Sequence, residues 1–264
     1  MLTISGTFKK LITLEMVDII VRCTNKKAKA EYEDFNSKHR QNDPRVWKTV
    51  TVNEMYSFFG ILIGAGANNS NTDHIDEMWK KNSYPLYRAT MGRRRFQSLL
   101  RFVRFDDYTT RQERAANDKA APISDIWNML NANLAAMYRP TEHLTIDEQL
   151  FPFRGRTKFT QYMPSKPAKY GLKVFWLCDA SNAYPLKGIF YIGKQGNTRE
   201  VNQGERVVKE LVAAYKGSGR NITMDRFFTT LPLVKSLLSW KLTIVGTLKK
   251  KQNIYSSRDE TVEL

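Results

Sequence analysis

The sequence predicts an α+β fold in two parts, with a helical domain over residues 1–140 and a mixed α/β sheet over residues 141–264. Two observations carry this prediction. Apolar residues recur at helical spacing through the first part, whereas after residue 141 they occur in short runs typical of strands. Arg139-Pro140 lies at the change, and proline is a residue at which helices end.

The first part contains four amphipathic segments. Residues 7–40 predict one or two helices, and Thr51 to Gly64 predicts a buried helix that begins with a capping box formed by Thr51 and Glu54. Ile123 to Tyr138 predicts another helix. Between them, one packed helix face is predicted from the spacing of Phe96, Leu99, Leu100 and Val103.

The second part predicts three strands, a helix, a strand, a helix and a final strand. The strands are Leu144–Phe153, Gly171–Cys178, Leu186–Ile192, Ile222–Phe228 and Leu242–Leu248, and the helices are Glu205–Tyr215 and Leu231–Leu238. This order is the ribonuclease H-like one, in which the first and fourth strands lie side by side. The sequence therefore predicts a partial ribonuclease H-like sheet.

The charge of the chain indicates a polyanionic partner. Its 264 residues include 42 Lys and Arg against 26 Asp and Glu, a net charge of +16. The excess is spread over both parts, with 22 basic against 15 acidic residues up to residue 140 and 20 against 11 after it. Nucleic acid is the predicted partner, and the alternative is a basic surface that only meets solvent.

Cysteine and histidine usage excludes several classes of protein. The chain has two cysteines, Cys23 and Cys178, and histidines only at 39, 74 and 143, which excludes a disulfide framework and any recognisable zinc site. No secretory signal and no apolar stretch long enough to cross a bilayer occurs in the sequence. We therefore expect an intracellular protein.

Two strand-like runs each contain an aspartate among apolar residues, Asp147 in 144–150 and Asp225 in 221–228. We expect both side chains to be buried, and a buried ionised Asp is costly unless it is paired or binds a metal. Adjacent strands would bring the two carboxylates together to hold divalent cations through hard oxygen ligands. The alternative is that both are ordinary turn residues. Asp106-Asp107, by contrast, are predicted to be turn residues that follow a helix.

Two basic segments predict the DNA-contacting surface. Lys80 to Arg104 has eight basic residues and no acidic one, and the alternative is again a solvated face. Arg154 to Lys173 has six basic residues, no acidic one, and Phe159, Tyr162 and Tyr170 between them, which suits a surface that follows the backbone and stacks on unpaired bases. The predicted DNA-binding residues are Arg93, Arg94, Arg101, Arg154, Arg156, Lys158, Lys166, Lys169 and Lys173.

Several ordered motifs resemble the piggyBac-type DDE transposases. The first runs from Ile146-Asp147-Glu148-Gln149-Leu150 through Phe153-Arg154-Gly155-Arg156, and the second is the stretch 164–173, which begins Pro-Ser-Lys-Pro. The third is 221–230, which contains Asp225, followed by 242–247. The segment from Arg95-Phe96 to Asp107 is similar to the helical N-terminal domain of that family.

The resemblance implies a helical dimerisation and DNA-binding domain followed by a ribonuclease H-like catalytic domain. It implies excision through hairpinned ends and reinsertion at TTAA sites with Mg²⁺ or Mn²⁺, in the nucleus. It makes Asp147 the first catalytic carboxylate and Asp225 the second. Glu148 should point to the opposite sheet face. The partners it implies are DNA and a second copy of the chain.

The family has a third catalytic Asp and a Cys-rich zinc-binding tail, both after an insertion that follows the strand matching 242–248. We expect this chain to be truncated before that third Asp, with no zinc site of its own. Asp259, Glu260 and Glu263 are the alternative third ligands. Two functions follow, a strand-cleaving transposase or a transposase-derived module that dimerises and binds DNA without cutting it.

Overall fold

The computed structural model describes residues 3–39, 43–70, 73–193 and 201–248. The chain divides after Asn133 into two compact units. Among the described residues, no helix is both long enough and apolar enough to cross a membrane.

Helices build the first unit. They are α1 (Ile4–Leu11), α2 (Leu14–Lys38), α3 (Val52–Ala67), α4 (Ile75–Met78), α5 (Pro85–Thr90), α6 (Arg93–Phe102), α7 (Arg111–Asn117) and α8 (Ser124–Met137), the last of which runs across the division. Thr51 caps α3 as predicted, since its Oγ1 accepts the backbone N–H of Glu54 at 3.3 Å. The Glu54 side chain, however, binds Arg95 through two hydrogen bonds of 2.7 Å, so the capping box is not reciprocal.

The core of the first unit joins α2, α3 and α6. Met16, Met55, Phe58 and Leu99 are fully or almost fully buried in it, and the other buried apolar side chains of the unit join them in one cluster. Burial of this area is the main favourable term in folding.

One position on α6 differs from the predicted face. Leu100 is 39% exposed, whereas Phe102 is 3% exposed and belongs to the core. Phe102 is drawn inward because its ring meets those of Trp47 and Tyr32 edge to face, with centroids 5.4 and 5.6 Å away. Those partners lie far away in the sequence, so helical spacing alone assigned the wrong residue.

The turn after α6 is organised by Asp106, whose side chain is 1% exposed. Arg111 and Arg114 both bind its carboxylate. Burial favours the neutral acid, but these two guanidinium groups lower the pKa of Asp106 below its usual value. The prediction that Asp106-Asp107 are turn residues is therefore confirmed, with Asp106 as the centre of a buried ionic network.

A mixed sheet builds the second unit. Its strands are β1 (His143–Pro152), β2 (Gln161–Tyr162), β3 (Tyr170–Asp179), β4 (Pro185–Phe190), β5 (Asn221–Met224) and β6 (Thr243–Gly246), and its helices are α9 (Gln203–Val212) and α10 (Leu231–Ser239). The strand order is β2-β3-β1-β5-β6, with β4 also paired to β3. β1 pairs with β3 antiparallel, and β1, β5 and β6 are parallel. The predicted fold class is confirmed, and the short β2 was not predicted.

One face of this sheet is covered by the two helices. Leu144, Ile146, Ile222 and Met224 project from β1 and β5 into a cluster to which α9 contributes Val207, Val208 and Leu211, and α10 Leu233 and Leu237. Since side chains alternate along a strand, the residues between them on β1 and β5 lie on the other face.

Candidate active site

Strand register places Asp147 beside Asp225. Ile146 of β1 pairs with Met224 of β5 in the parallel ladder, and each is followed by one of the aspartates. Because β1 and β5 run in the same direction, both carboxylates leave the ladder at the same level. The pair of strands predicted to meet therefore does meet.

The expectation that both aspartates are buried is wrong, and the expected mid-strand position is correct for Asp147 but not for Asp225. Both residues are exposed, and Asp225 lies one residue beyond the end of β5. The chain turns there because the Asp225 carboxylate accepts the N–H of Phe227 at 2.9 Å and its carbonyl oxygen accepts the N–H and hydroxyl of Thr229. Strand register, and not the cost of burying a charge, is what brings the two carboxylates together.

Two glycines hold the Asp225 turn against its neighbours. A Cβ on Gly204 of α9 would lie 3.0 Å from the Phe227 carbonyl oxygen and 3.2 Å from the Phe228 Cα. A Cβ on Gly246 of β6 would lie 2.3 Å from the Thr229 Oγ1. The sequence analysis assigned no role to either glycine. For Gly204 the sequence offers one indication, because it lies in the first turn of a helix, where a side chain is otherwise tolerated.

The chemistry of the carboxylate pair fits a divalent cation. Within the described ranges, Asp147 Oδ1 accepts a hydrogen bond only from the Glu148 N–H, at 2.7 Å, and no salt bridge engages either carboxylate. Carboxylate oxygens are the hard ligands that Mg²⁺ and Mn²⁺ prefer, and an exposed carboxylate outside any salt bridge is available to bind one. The described residues hold no third His, Cys, Asp or Glu close enough to complete a cluster, and Asp259, Glu260 and Glu263 lie outside them.

Glu148 is turned away from this pair, as strand alternation predicts. It pairs with Phe175 of β3, on the same face as the buried Ile146. Its carboxylate binds Lys166 at 3.2 Å. Lys166, predicted to contact DNA, therefore already has an acidic partner in the fold.

Beyond the level of Asp147, β1 and β3 continue as an antiparallel ribbon, which we define as residues 148–152 and 170–175 together with β2. The loop between β1 and β3 carries most of the predicted DNA-binding cations. The exposed ones are Arg154, Arg156, Lys158 and Lys169.

Lys173 differs from these cations because it is half-buried in the ribbon. Its Nζ lies 4.7 Å from the Phe175 ring centroid and 5.1 Å from that of Phe227. Burial lowers the pKa of Lys173 and the charge of Lys166 adds to this, whereas the Glu148 carboxylate opposes it. Asp225 and Asp147 also raise its pKa, so Lys173 lies within electrostatic reach of the carboxylate pair.

The basic residues of α6 also fall into two groups. Arg94 and Arg101 are exposed, whereas Arg93 binds Asp76 at 2.5 Å on the surface. Arg95, absent from the predicted contacts, binds Glu54 and packs over the Trp47 ring at 4.6 Å. Arg95 therefore links α6 to α3 through an ion pair. Arg94 and Arg101 are the α6 arginines whose exposed side chains form no salt bridge among the described residues.

Comparison with known proteins identifies the family. The family model described as "Transposase IS4" matches residues 4–260. The chain belongs to the piggyBac-type transposases of this family. It is 37% identical to a solved piggyBac transposase, described as a synaptic complex with hairpin DNA, with a TM-score of 0.83 over 94% of this chain. The predicted family is confirmed.

Two curated relatives from Homo sapiens agree with this assignment. PiggyBac transposable element-derived protein 3 and the chimeric ERCC6-PGBD3 protein are each 24% identical over 210 residues, or 76% of this chain. The chain spans 34% and 19% of their lengths, and 51% of the solved piggyBac transposase. Membership of a DDE family implies the use of a divalent metal ion in general.

Proposed function

We propose that this chain is the DNA-binding and carboxylate-bearing part of a transposase that cleaves and rejoins DNA strands at TTAA sites, with Asp147 and Asp225 as two of its metal ligands. The register pair Ile146 and Met224, each followed by one of the aspartates, carries the proposal. The family supports Mg²⁺ or Mn²⁺ as the ion. We further propose that the chain acts in the nucleus, where its proposed DNA substrate lies.

The chain's own residues orient the reaction. A bound divalent pair supplies an activated nucleophile and stabilises the leaving oxygen of a phosphodiester. Asp147 is fixed on β1, and Asp225 is fixed by its turn, so the fold presets the spacing of the two ligands. Gly204 and Gly246 allow the close packing that keeps that turn in place.

The proposed substrate is DNA, held mainly through phosphates. The solved relative is a synaptic complex with hairpin DNA, which supports both a DNA substrate and a second copy of the chain as partner. The net charge of +16 and the exposed Arg94, Arg101, Arg154, Arg156, Lys158 and Lys169 suit a phosphate backbone. Arg93, Lys166 and Lys173 join them as contacts once DNA competes with their present partners.

We predict that Asp225→Asn abolishes metal-dependent cleavage. The amide keeps the size of the side chain and its acceptor for the Phe227 N–H but loses the charge that holds the ion. Cleavage of a TTAA-containing hairpin duplex in Mg²⁺ or Mn²⁺ should fall by about a hundredfold or more, because electrostatic stabilisation by the ion is worth several kcal/mol. The same variant should weaken Mn²⁺ binding measured by calorimetry.

Glu148→Gln is the matched control for this substitution. It removes a neighbouring carboxylate that faces the other side of β1, so it should leave Mn²⁺ binding within about twofold of the original chain. If Asp225→Asn and Glu148→Gln bind Mn²⁺ equally, the assignment of the pair is wrong. If the chain binds DNA with no cleavage in either ion, the transposase-derived binding module replaces the enzyme.

We predict that replacing exposed cations of the loop between β1 and β3, which we call the ribbon loop, lowers the salt dependence of DNA binding. The double variant Arg154→Gln with Lys169→Gln should reduce the slope of log K against log salt by about 2, since each phosphate contact contributes about 0.9. Lys235→Gln removes an exposed charge from α10, outside both basic segments, and should leave the slope unchanged. Equal slopes for all three proteins would remove the ribbon loop from the DNA interface.

A further inference from the structure

We propose that Tyr162 and Tyr170 form a stacking platform for an unpaired base of the DNA strand that the carboxylate pair engages. The two tyrosines are register partners on β2 and β3, with ring centroids 4.8 Å apart and an angle of 35° between the rings. Both are more than half exposed, at 57% and 59%. The inference rests on the proposed function and specifies the form of DNA that this surface receives.

Strand register puts the platform on the same side of the ribbon as Asp147. Tyr170 and Trp176 are six residues apart on β3, an even number, so they share a face. Trp176 is the register partner of Asp147. Six residues of strand cover roughly 20 Å, so the platform lies about that far along the ribbon from the carboxylate pair.

The face of β1 between the carboxylate pair and the tyrosine platform is exposed. Asp147, Gln149 and Phe151 alternate along this face of the strand, and all three are exposed. Gln149 also accepts the indole N–H of Trp176 at 3.1 Å, which fixes one polar group on this face. A strand with its phosphates in solvent and its bases against apolar rings matches such a surface.

The surroundings of Tyr170 suit the phosphates of a nucleotide. Tyr170 lines a groove of about 510 Å³ together with Pro152, Phe153, Arg154, Pro167 and Lys169. Arg154 and Lys169 supply two exposed cations in that groove. An aromatic face beside two cations fits an unpaired nucleotide better than a duplex, whose bases are already stacked and turn only their edges outward.

The test compares binding of two DNA ends by fluorescence anisotropy. One is a blunt duplex, and the other is the same duplex with four unpaired nucleotides at one end. Tyr162→Thr and Tyr170→Thr keep strand propensity but remove the rings. Each should weaken binding of the unpaired end by about tenfold to a hundredfold, and binding of the blunt duplex by less than about twofold.

Phenylalanine variants and a fluorescent base test the inference even if the threonine substitutions disrupt the structure of the ribbon. Tyr162→Phe and Tyr170→Phe retain the π-face and should bind the unpaired end like the original chain. A 2-aminopurine base in the unpaired segment should lose fluorescence on binding to the original chain because it stacks on a ring. Leu238→Ala removes an exposed apolar side chain from α10, outside both basic segments, and should change neither affinity.

The outcomes separate this inference from the proposed function. A chain that binds both ends equally, or shows no 2-aminopurine quenching, overturns the platform and leaves the basic DNA-binding surface intact. Equal losses for both ends in the threonine variants, with the phenylalanine variants unaffected, likewise overturn selectivity for unpaired bases. A chain that binds neither end overturns the proposed function itself.

Discussion

Replacing Asp106 by asparagine is expected to destabilise the helical unit by about 3 kcal/mol at pH 7. The carboxylate is almost fully buried and accepts the Arg111 Nε–H at 3.0 Å and an Arg114 Nη2–H at 2.5 Å. Arg114 also donates to the carbonyl oxygens of Ala121 and Asp107. The asparagine variant leaves two guanidinium groups without their counter-charge in this network, and the turn that connects α6 to α7 and α8 loses its centre.

The loss should depend on pH in a defined direction. Because the pKa of Asp106 is lowered in the folded state, its contribution is fully present above the unfolded value of about 3.9 and disappears as pH falls through the folded value. The free energies of unfolding of the original chain and Asp106→Asn should therefore converge below pH 4. Urea unfolding between pH 7 and pH 3, followed by tryptophan fluorescence, measures this, since Trp47 and Trp79 pack in this unit.

Asp107→Asn is the matched control for the Asp106 substitution. Its carboxylate lies next in the chain and also meets a cation, Lys26 at 2.6 Å, but the side chain is 39% exposed. A surface pair of this kind contributes about 1 kcal/mol or less. Equal destabilisation by the two substitutions would show that burial of Asp106 does not set the strength of its network.

The topology of the sheet is predictable from the sequence because it depends on the order of the helices and strands, and the local spacing of apolar residues identifies each of them. Alternating apolar residues in Leu144–Leu150 and a shift to helical spacing in 205–215 mark element types without any knowledge of contacts. The order of elements then restricts the sheet to few arrangements, and the parallel pairing of β1 with β5 follows. The sequence alone therefore predicts that Asp147 and Asp225 lie close together.

The sequence does not predict the surroundings of Asp225, because they depend on contacts between residues that lie far apart in the chain. Phe227 and Phe228 resume the apolar run after two charged residues, so the sequence pattern extends the predicted strand four residues past Met224. The chain turns at Asp225 through its own side-chain hydrogen bond and the close approach of Gly204, which is 21 residues earlier. The same limit explains Phe102, whose burial depends on Trp47 and Tyr32.

Replacing Gly171 by alanine is expected to break the ribbon and spare the carboxylate pair. A Cβ at Gly171 would lie 2.0 Å from the Phe151 carbonyl oxygen and 2.8 Å from its carbon. The obstacle is backbone, so no rotamer change relieves it, and β1 must separate from β3 near Pro152, the register partner of Gly171. We expect a loss of about 2 to 3 kcal/mol, at the upper end for overpacking. The Ile146–Met224 pairing lies beyond the disturbed part of β1.

Two measurements separate these regions of the second unit. Hydrogen exchange should accelerate at the amide of Met163, which donates to the Lys169 carbonyl oxygen at 2.8 Å, while the amides of β5 stay protected. Mn²⁺ affinity should stay within about twofold, whereas DNA affinity should fall as the surface around Arg154 and Tyr170 loses its shape.

Gly60→Ala is the control for adding a methyl group at a glycine. Its Cβ meets nothing within 4 Å in α3, so alanine should raise stability by up to about 1 kcal/mol through helix propensity. If Gly171→Ala weakens Mn²⁺ binding as strongly as DNA binding, the ribbon and the carboxylate pair form one cooperative element. The proposed separation between the metal ligands Asp147 and Asp225 and the DNA contacts on the ribbon would then be wrong.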